Sequence, residues 1–374
     1  MNPGSGSEVY VGLMSGTSLD GIDVAIVDFG NFPPRMIHGH TTPYPDSVRQ
    51  RLHDLCQSPS TTLDLLYGLD AELGELYAKA VNQALELASL DAAGVAALGC
   101  HGQTIRHNPD SAMPYTAQIG DPNRIAALTG ITTVADFRRK DIALGGQAAP
   151  LAPAFHRFLF RSNDENRGLV NIGGIANITC LPADTMQPVL GFDTGPGNTL
   201  LNYWNEKHQG SKFDDAGTWA GSGVVIDSLL EKMISTEDYF RLDPPKSTGT
   251  EYFNPNWLLK FIDEKYKAND VQATLVELTA ITIADAISQL PQRLDSIYVC
   301  GGGAHNHYLL ERLEANLAQG KLATTEALGL DPDFVEAAAF AWLARERINL
   351  QTGSIPEVTQ AQHAGILGGV YVSG

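Results

Sequence analysis

One short pattern opens this chain and returns in its second half, and it limits the folds available. An apolar strand empties into a turn of glycine and hydroxyl residues, and a second strand follows at once. In the first copy Val9, Val11 and Leu13 alternate along one strand, Ser15 to Gly21 form the turn, and Ile22, Val24 and Ile26 begin the next strand. In the second copy Leu169 to Ile172 lead through Gly173-Gly174 into Ile175 to Leu181. Alternation with a period of two marks strands, and a short glycine turn between two of them marks a hairpin. A weak internal repeat of this kind predicts two related halves.

Between and after the hairpins the periodicity becomes helical. Leu63, Leu66, Leu73, Leu76, Ala80, Ala84 and Leu87 keep one apolar stripe, with Thr61 and Asp64 as a capping-box start. Further segments read as a strand at Val95 to Cys100, a strand at Val189 to Phe192, and a helix from Thr199. They continue with a helix at Thr274 to Leu290, a strand at Ser296 to Cys300 and a helix from about Asn306 to Leu317. Asp331 before Pro332 predicts a last long helix, to about Arg347. Strands alternating with helices give an α/β protein, and 374 residues suffice for two lobes.

Charge narrows the class of partner. Lys plus Arg number 25 against 43 Asp plus Glu, a net charge of −18, which argues against a general binder of nucleic acid or anionic membrane. Unbroken apolar runs stay well short of about 18 residues, so no spanning helix is expected. Met1 to Ser7 lacks the regions of a signal peptide and reads as a disordered lead-in. Cys56, Cys100, Cys180 and Cys300 show no C-x-x-C spacing and read as unpaired thiols in a reducing, cytoplasmic setting.

Three strand-end turns share one design: Ser15 to Gly21, Asp193 to Asn198, and Gly301-Gly302-Gly303. Exposed backbone N–H groups at such turns form an anion site, and glycine lets a phosphate come close. The P-loop pattern, G-x-G-x-x-G and the protein-kinase signatures are all missing, so this is not one of those nucleotide folds.

A duplicated α/β domain with hairpin phosphate loops resembles the actin, hexokinase and heat-shock-chaperone ATPase superfamily, two related lobes around a central cleft. Within it, Val11 to Asp23 (VGLMSGTSLDGID) is similar to the opening signature of the anhydro-N-acetylmuramic acid kinase family. So are Gly99 to Thr104 (GCHGQT), Asp136 to Gln147 (DFRRKDIALGGQ), Asn171 to Asn177 (NIGGIAN), Gly191 to Asn198 (GFDTGPGN) and Val299 to Asn306 (VCGGGAHN). The resemblance covers nearly everything after Ser7. It implies an ATP-dependent, cytoplasmic kinase of cell-wall recycling, typically a homodimer. Such an enzyme converts 1,6-anhydro-N-acetylmuramic acid, ATP and water into N-acetylmuramic acid 6-phosphate and ADP. Two other readings stand beside it: a kinase of another sugar on the same fold, and an actin-like ATPase in which the nucleotide switches shape.

The lobes are expected at residues 8–136 with about 355–374, and at 137–354. In the anhydro sugar O6 is tied to C1 and carries no proton, so a base must act on water attacking C1 while O6 takes the γ-phosphoryl group. Asp193, at a strand end before a glycine turn, is the expected base, and the resemblance agrees. Gly16, Thr17, Ser18, Leu19, Asp20, Gly21, Ile22 and Asp23 are expected at the ATP phosphates, with Asp20 and Asp23 holding the turn or reaching Mg²⁺ through water. Gly195 belongs to the second anion turn, and Gly301, Gly302 and Gly303 should let the adenine lie close. The resemblance implies that Arg138 or Arg139 takes the sugar's lactyl carboxylate, with Arg139 the residue to test first. It also implies that Glu336 contacts the sugar. His101, after a strand end, is either structural or a sugar contact. His305-Asn306-His307 is too weak a pattern for a metal site, and the metal ligands are unassigned.

Overall fold

The computed structural model describes residues 8–16, 19, 21–244 and 246–374. The expectations for Met1 to Ser7, Thr17, Ser18 and Asp20 therefore lie outside the described residues. The chain forms two compact units, one from the residues up to Leu159 and from Phe334 onward, the other Phe160–Asp333.

In the first unit β1 (Val9–Met14), β2 (Gly21–Asp28) and β3 (Arg35–Pro43) make an antiparallel meander. β4 (Ala97–Cys100) then lies parallel to β1. A separate hairpin follows, β5 (Gln103–Asn108) with β6 (Tyr115–Ile119), and β7 (Thr133–Ala135) lies parallel to β4. The second unit repeats the plan. β8 (Arg167–Ile172), β9 (Ile175–Leu181) and β10 (Leu190–Pro196) form the meander, β11 (Ser296–Cys300) runs parallel to β8, and β12 (Lys321–Thr324) runs parallel to β11. Finally β13 (Gly369–Tyr371) adds an antiparallel edge on β7. The α/β class and the duplication expected from the two hairpins are thus present as one strand order used twice.

The units divide away from the boundaries suggested by sequence, 136/137 and 354/355, and packing explains why. The helix Val335–Ile348 lies directly on the first sheet: a Cβ on Gly12 of β1 would overlap the carbonyl oxygen of Ala337, and one on Gly99 of β4 that of Phe340. The rings of Phe137 and Phe340 meet at 5.5 Å, which draws the residues after Asp136 into the same core.

The helix Leu63–Leu87 spans the expected residues, but its cap is Thr62, whose hydroxyl accepts the N–H of Leu65 at 3.2 Å. Its buried face runs through Leu69, Leu73, Tyr77 and Val81, and both ends of the expected stripe, Leu63 and Leu87, are exposed. The helix expected at Thr274 to Leu290 is observed at Ala268–Ser288. By length and composition this helix is apolar enough to cross a membrane, and 83% of its best 18-residue window is buried. Glu277 and Asp285, with Gln272, Thr274, Thr279 and Thr282, keep its unbroken apolar runs short although its average is apolar. Val271, Leu275, Leu278 and Ile283 place it in the core of the second unit. None of the four cysteines forms a disulfide.

Candidate functional site

Strand β10 carries Asp193 opposite Asn177 of β9, and the register slips between Asp193 and Gly195. A slip of this kind is a bulge, which bends a strand and re-aims its side chains. Thr194 turns inward, its hydroxyl donating to the carbonyl of Ala176 at 3.1 Å, while Asp193 stays half-buried. The Asp193 backbone is held on both sides. Its N–H donates to the carbonyl of Lys246 at 3.1 Å, and its carbonyl accepts the Tyr239 hydroxyl at 2.7 Å.

The carboxylate of Asp193 accepts two hydrogen bonds, from the Ser247 hydroxyl and the Thr248 N–H, each 3.0 Å and each on Oδ2. Burial pushes its pKa above the usual aspartate value, those two bonds oppose the rise, and Glu251 adds to it. A positioned carboxylate with a raised pKa suits proton abstraction near neutral pH. Sequence reasoning missed Tyr239, Ser247 and Thr248. They lie on an irregular stretch far along the chain from Asp193, and no periodicity or motif marks them.

The glycines of this unit have separate reasons. The carbonyls of Gly173 and Gly174 accept the N–H groups of Gly197, Asn198 and Thr199 at 2.8 to 3.2 Å. Those three amides at the start of the helix Asn198–Gln209 are spent within the fold, so the second expected anion turn lacks them as donors. Gly195 sits in the bulge, where a Cβ would press on Phe240 and Thr282 at 3.0 and 3.3 Å, which is a packing reason for glycine. Gly301 has φ 77°, donates to the carbonyl of Pro332 at 2.9 Å, and has no room for a Cβ beside Asn171. Gly303 is equally closed off by Ile172. Gly302 differs: the nearest atom to an added Cβ is Asn198 Nδ2 at 3.7 Å, so this is the open position of the three.

The first unit gathers a charged cluster. Within the expected phosphate loop the carbonyl of Gly16 accepts the Leu19 N–H at 3.3 Å and the Gln103 side chain at 3.2 Å. Leu19 has φ 59°, which a side chain rarely adopts, and its burial in the core holds it there. Ile22 is fully buried, so only its backbone is available to a ligand. Gly21 has little space beside Thr41 and Thr42. On β2 the carboxylate of Asp23 accepts the Thr41 hydroxyl at 2.6 Å.

His101 follows β4 and is buried, its ring 4.8 Å from that of Phe340. Its Nε2 accepts the Nε of Arg138 at 3.0 Å, so the imidazole is neutral. Burial, and then the Arg138 charge, drive its pKa well below 6.5. Arg138, on the helix Phe137–Ala143, also donates to the carbonyl of Ala148 at 2.6 Å. Burial lowers its pKa to about 10, while Glu336 and Asp141 favour the charged form. Asp141 is fully buried and satisfied by Ala148 N–H at 2.7 Å and the Thr359 hydroxyl at 2.9 Å. Glu336 stands in the first turn of its helix, its pKa raised by burial, lowered by Arg138 and raised again by Asp23.

Arg139 stands apart. Its side chain is 67% exposed and forms a forked ion pair with Asp136 at 2.5 to 2.9 Å. Sequence left the two adjacent arginines undecided; the fold brings Arg138, not Arg139, into this cluster, because one residue on a helix turns the side chain by about 100°. Among the described residues no group of three or more His, Cys, Asp and Glu could hold a metal ion. His305 instead bonds Asp333 at 2.8 Å, and Asn306 caps a helix through Leu309 N–H at 3.0 Å.

Comparison with known proteins agrees with the motifs. The family model described as anhydro-N-acetylmuramic acid kinase matches residues 8–373. Among curated relatives of that name, one from Coxiella burnetii is 48% identical over 365 residues, covering 97% of each chain. Another, from Pasteurella multocida, is 51% identical over 366 residues, covering 97% of this chain and 96% of its own. A solved structure, the ADPNP-bound activator of 2-hydroxyisocaproyl-CoA dehydratase from Clostridium difficile, aligns with a TM-score of 0.47 at 12% identity, over 91% of this chain and 96% of that one.

Proposed function

The chain belongs to the anhydro-N-acetylmuramic acid kinase family, and on that footing we propose that it opens 1,6-anhydro-N-acetylmuramic acid with water while phosphorylating O6 from ATP. The products are N-acetylmuramic acid 6-phosphate and ADP. Asp193 accepts a proton from the attacking water, whose oxygen bonds to C1. The C1–O6 bond breaks, and O6 takes the γ-phosphoryl group as the bond to the ADP oxygen breaks. The observation that carries this is the Asp193 carboxylate: fixed through its backbone on both sides, engaged on one oxygen, and raised in pKa by burial.

Sugar recognition falls to the other cluster. Arg138 provides a guanidinium for the lactyl carboxylate, His101 holds that guanidinium as a neutral acceptor, and Glu336 contacts the sugar. Arg139 is left to its surface ion pair. ATP phosphates belong to the loop from Gly16 to Asp23, and the adenosine to Gly302 with its closed neighbours Gly301 and Gly303. Gly195 acts through the bulge that shapes β10. ATP arrives as its Mg²⁺ complex, which lowers the charge on the phosphates; with no protein ligand cluster among the described residues, no step is assigned to the metal. A cytoplasmic homodimer serving peptidoglycan recycling completes the reading.

Mass analysis of the product formed in ¹⁸O-water tests it. Label at the anomeric oxygen with phosphate on O6 is the expected result. Sugar-independent ADP release, or label in phosphate alone, would sink the proposal.

A further inference from the structure

The stretch from Glu237 to Trp257 does more than connect two helices: it touches Asp193 at four points. Tyr239 takes its carbonyl, Lys246 its N–H, and Ser247 and Thr248 its carboxylate. The far side of the stretch is pinned by the buried carboxylate of Glu237, which accepts the Tyr239 N–H at 3.0 Å, the Tyr252 hydroxyl at 2.6 Å and the Trp257 indole N–H at 2.7 Å. Both bonds to the Asp193 carboxylate end on the same oxygen. A carboxylate oxygen accepting two donors has its lone-pair directions used.

We propose that Ser247 and Thr248 are positioning residues for the base, filling Oδ2 so that Oδ1 of Asp193 is the atom that receives the proton. Neither touches the reacting atoms. They fix the rotamer of Asp193 and choose which of two equivalent oxygens is presented, the kind of support on which a catalytic geometry depends. This rests on reading Asp193 as the base.

The charges facing Asp193 are few. From the same stretch Glu251 raises its pKa. The Lys246 ammonium lies 5.0 Å over the Tyr239 ring and donates to the Tyr239 carbonyl at 3.3 Å. The Tyr239 hydroxyl is spent on the Asp193 carbonyl, and the paired residue on β9 is the uncharged Asn177. Ser247 is therefore a donor whose loss moves the titration of Asp193 in one known direction, upward. It is also exposed, so removing its hydroxyl opens no cavity.

The test is the pH dependence of kcat/KM for wild type, Ser247→Ala, Ser247→Thr and Asp193→Asn. Ser247→Ala should move the acidic limb up by roughly one pH unit and lower the plateau kcat about tenfold, at an unchanged unfolding midpoint. Ser247→Thr, which keeps a hydroxyl, should restore the limb. An Ala variant whose limb coincides with wild type, while Asp193→Asn is inactive, overturns the positioning role alone. Near-normal turnover of Asp193→Asn removes the base, and this inference with it.

Discussion

The Nε of Arg138 donates to Nε2 of His101 at 3.0 Å, and this bond makes the buried imidazole the acceptor of the pair. An imidazole nitrogen that accepts carries no proton, so the ring is the neutral Nδ1–H tautomer. The guanidinium is fixed by that bond and by the Ala148 carbonyl at 2.6 Å. Arg138→Ala should therefore raise the KM for the sugar by about 10- to 100-fold, the range for hydrogen bonds to a charged group, with the KM for ATP nearly unchanged. Arg139→Ala should leave both constants within about threefold, since an exposed ion pair contributes little. A larger sugar effect from Arg139 than from Arg138 would reverse the assignment.

The burial of His101, with the Arg138 charge beside it, has a pH consequence. The folded-state pKa of His101 is depressed below 6.5, so the folded protein binds this proton less readily than the unfolded chain. The stability tied to the neutral ring is present above that pH and is lost as the pH falls below it. Thermal unfolding at pH 7.5 and 5.5 should show a clear drop for wild type and a smaller one for His101→Gln. Equal drops in the two proteins would mean that His101 does not sense the change.

The three glycines after β11 separate a folding role from a ligand role. Gly301→Ala forces a side chain into a left-handed backbone against Asn171, and Gly303→Ala drives one into Ile172. Each should lose about 1 to 3 kcal/mol by denaturant titration. Gly302→Ala meets its nearest neighbour at 3.7 Å and should fold as wild type while raising the KM for ATP. Should Gly302→Ala bind ATP normally, the adenosine lies elsewhere.

Much of this was legible beforehand, and the exceptions share a cause. The helix Leu63–Leu87, though not the ends of its expected stripe, the strand Ser296 to Cys300 and both hairpins follow from local periodicity, because neighbours in sequence share a face. Asp193 stood out because a carboxylate at a strand end before glycines is a local pattern. What supports it was hidden: Ser247 and Thr248 reach it from more than fifty residues away, through one hydroxyl and one backbone N–H. The choice between Arg138 and Arg139 likewise depended on the rotation of a seven-residue helix, Phe137–Ala143. Amides of Gly197 to Thr199 looked free in sequence and were taken by carbonyls some two dozen residues earlier.

Glu237 offers a prediction in which stability and activity part ways. Burial pushes its pKa up, but the bonds from Tyr252, Trp257 and the Tyr239 N–H outweigh that, and the net shift is downward. A depressed folded-state value means that its contribution is present above the unfolded value near 4.5 and is lost as the pH falls through the folded one. In Glu237→Gln one amide N–H would face a donor that the carboxylate had satisfied. The expected loss is about 1 to 3 kcal/mol at neutral pH. The hydrogen bond to Glu237 also holds the Tyr252 hydroxyl up at about 12, so spectrophotometric titration of the variant should show one tyrosine falling toward 10. Because Tyr239 still reaches the Asp193 carbonyl through its own hydroxyl, kcat should drop less than in Ser247→Ala. A variant as stable as wild type would show that the stretch is held by something other than this carboxylate.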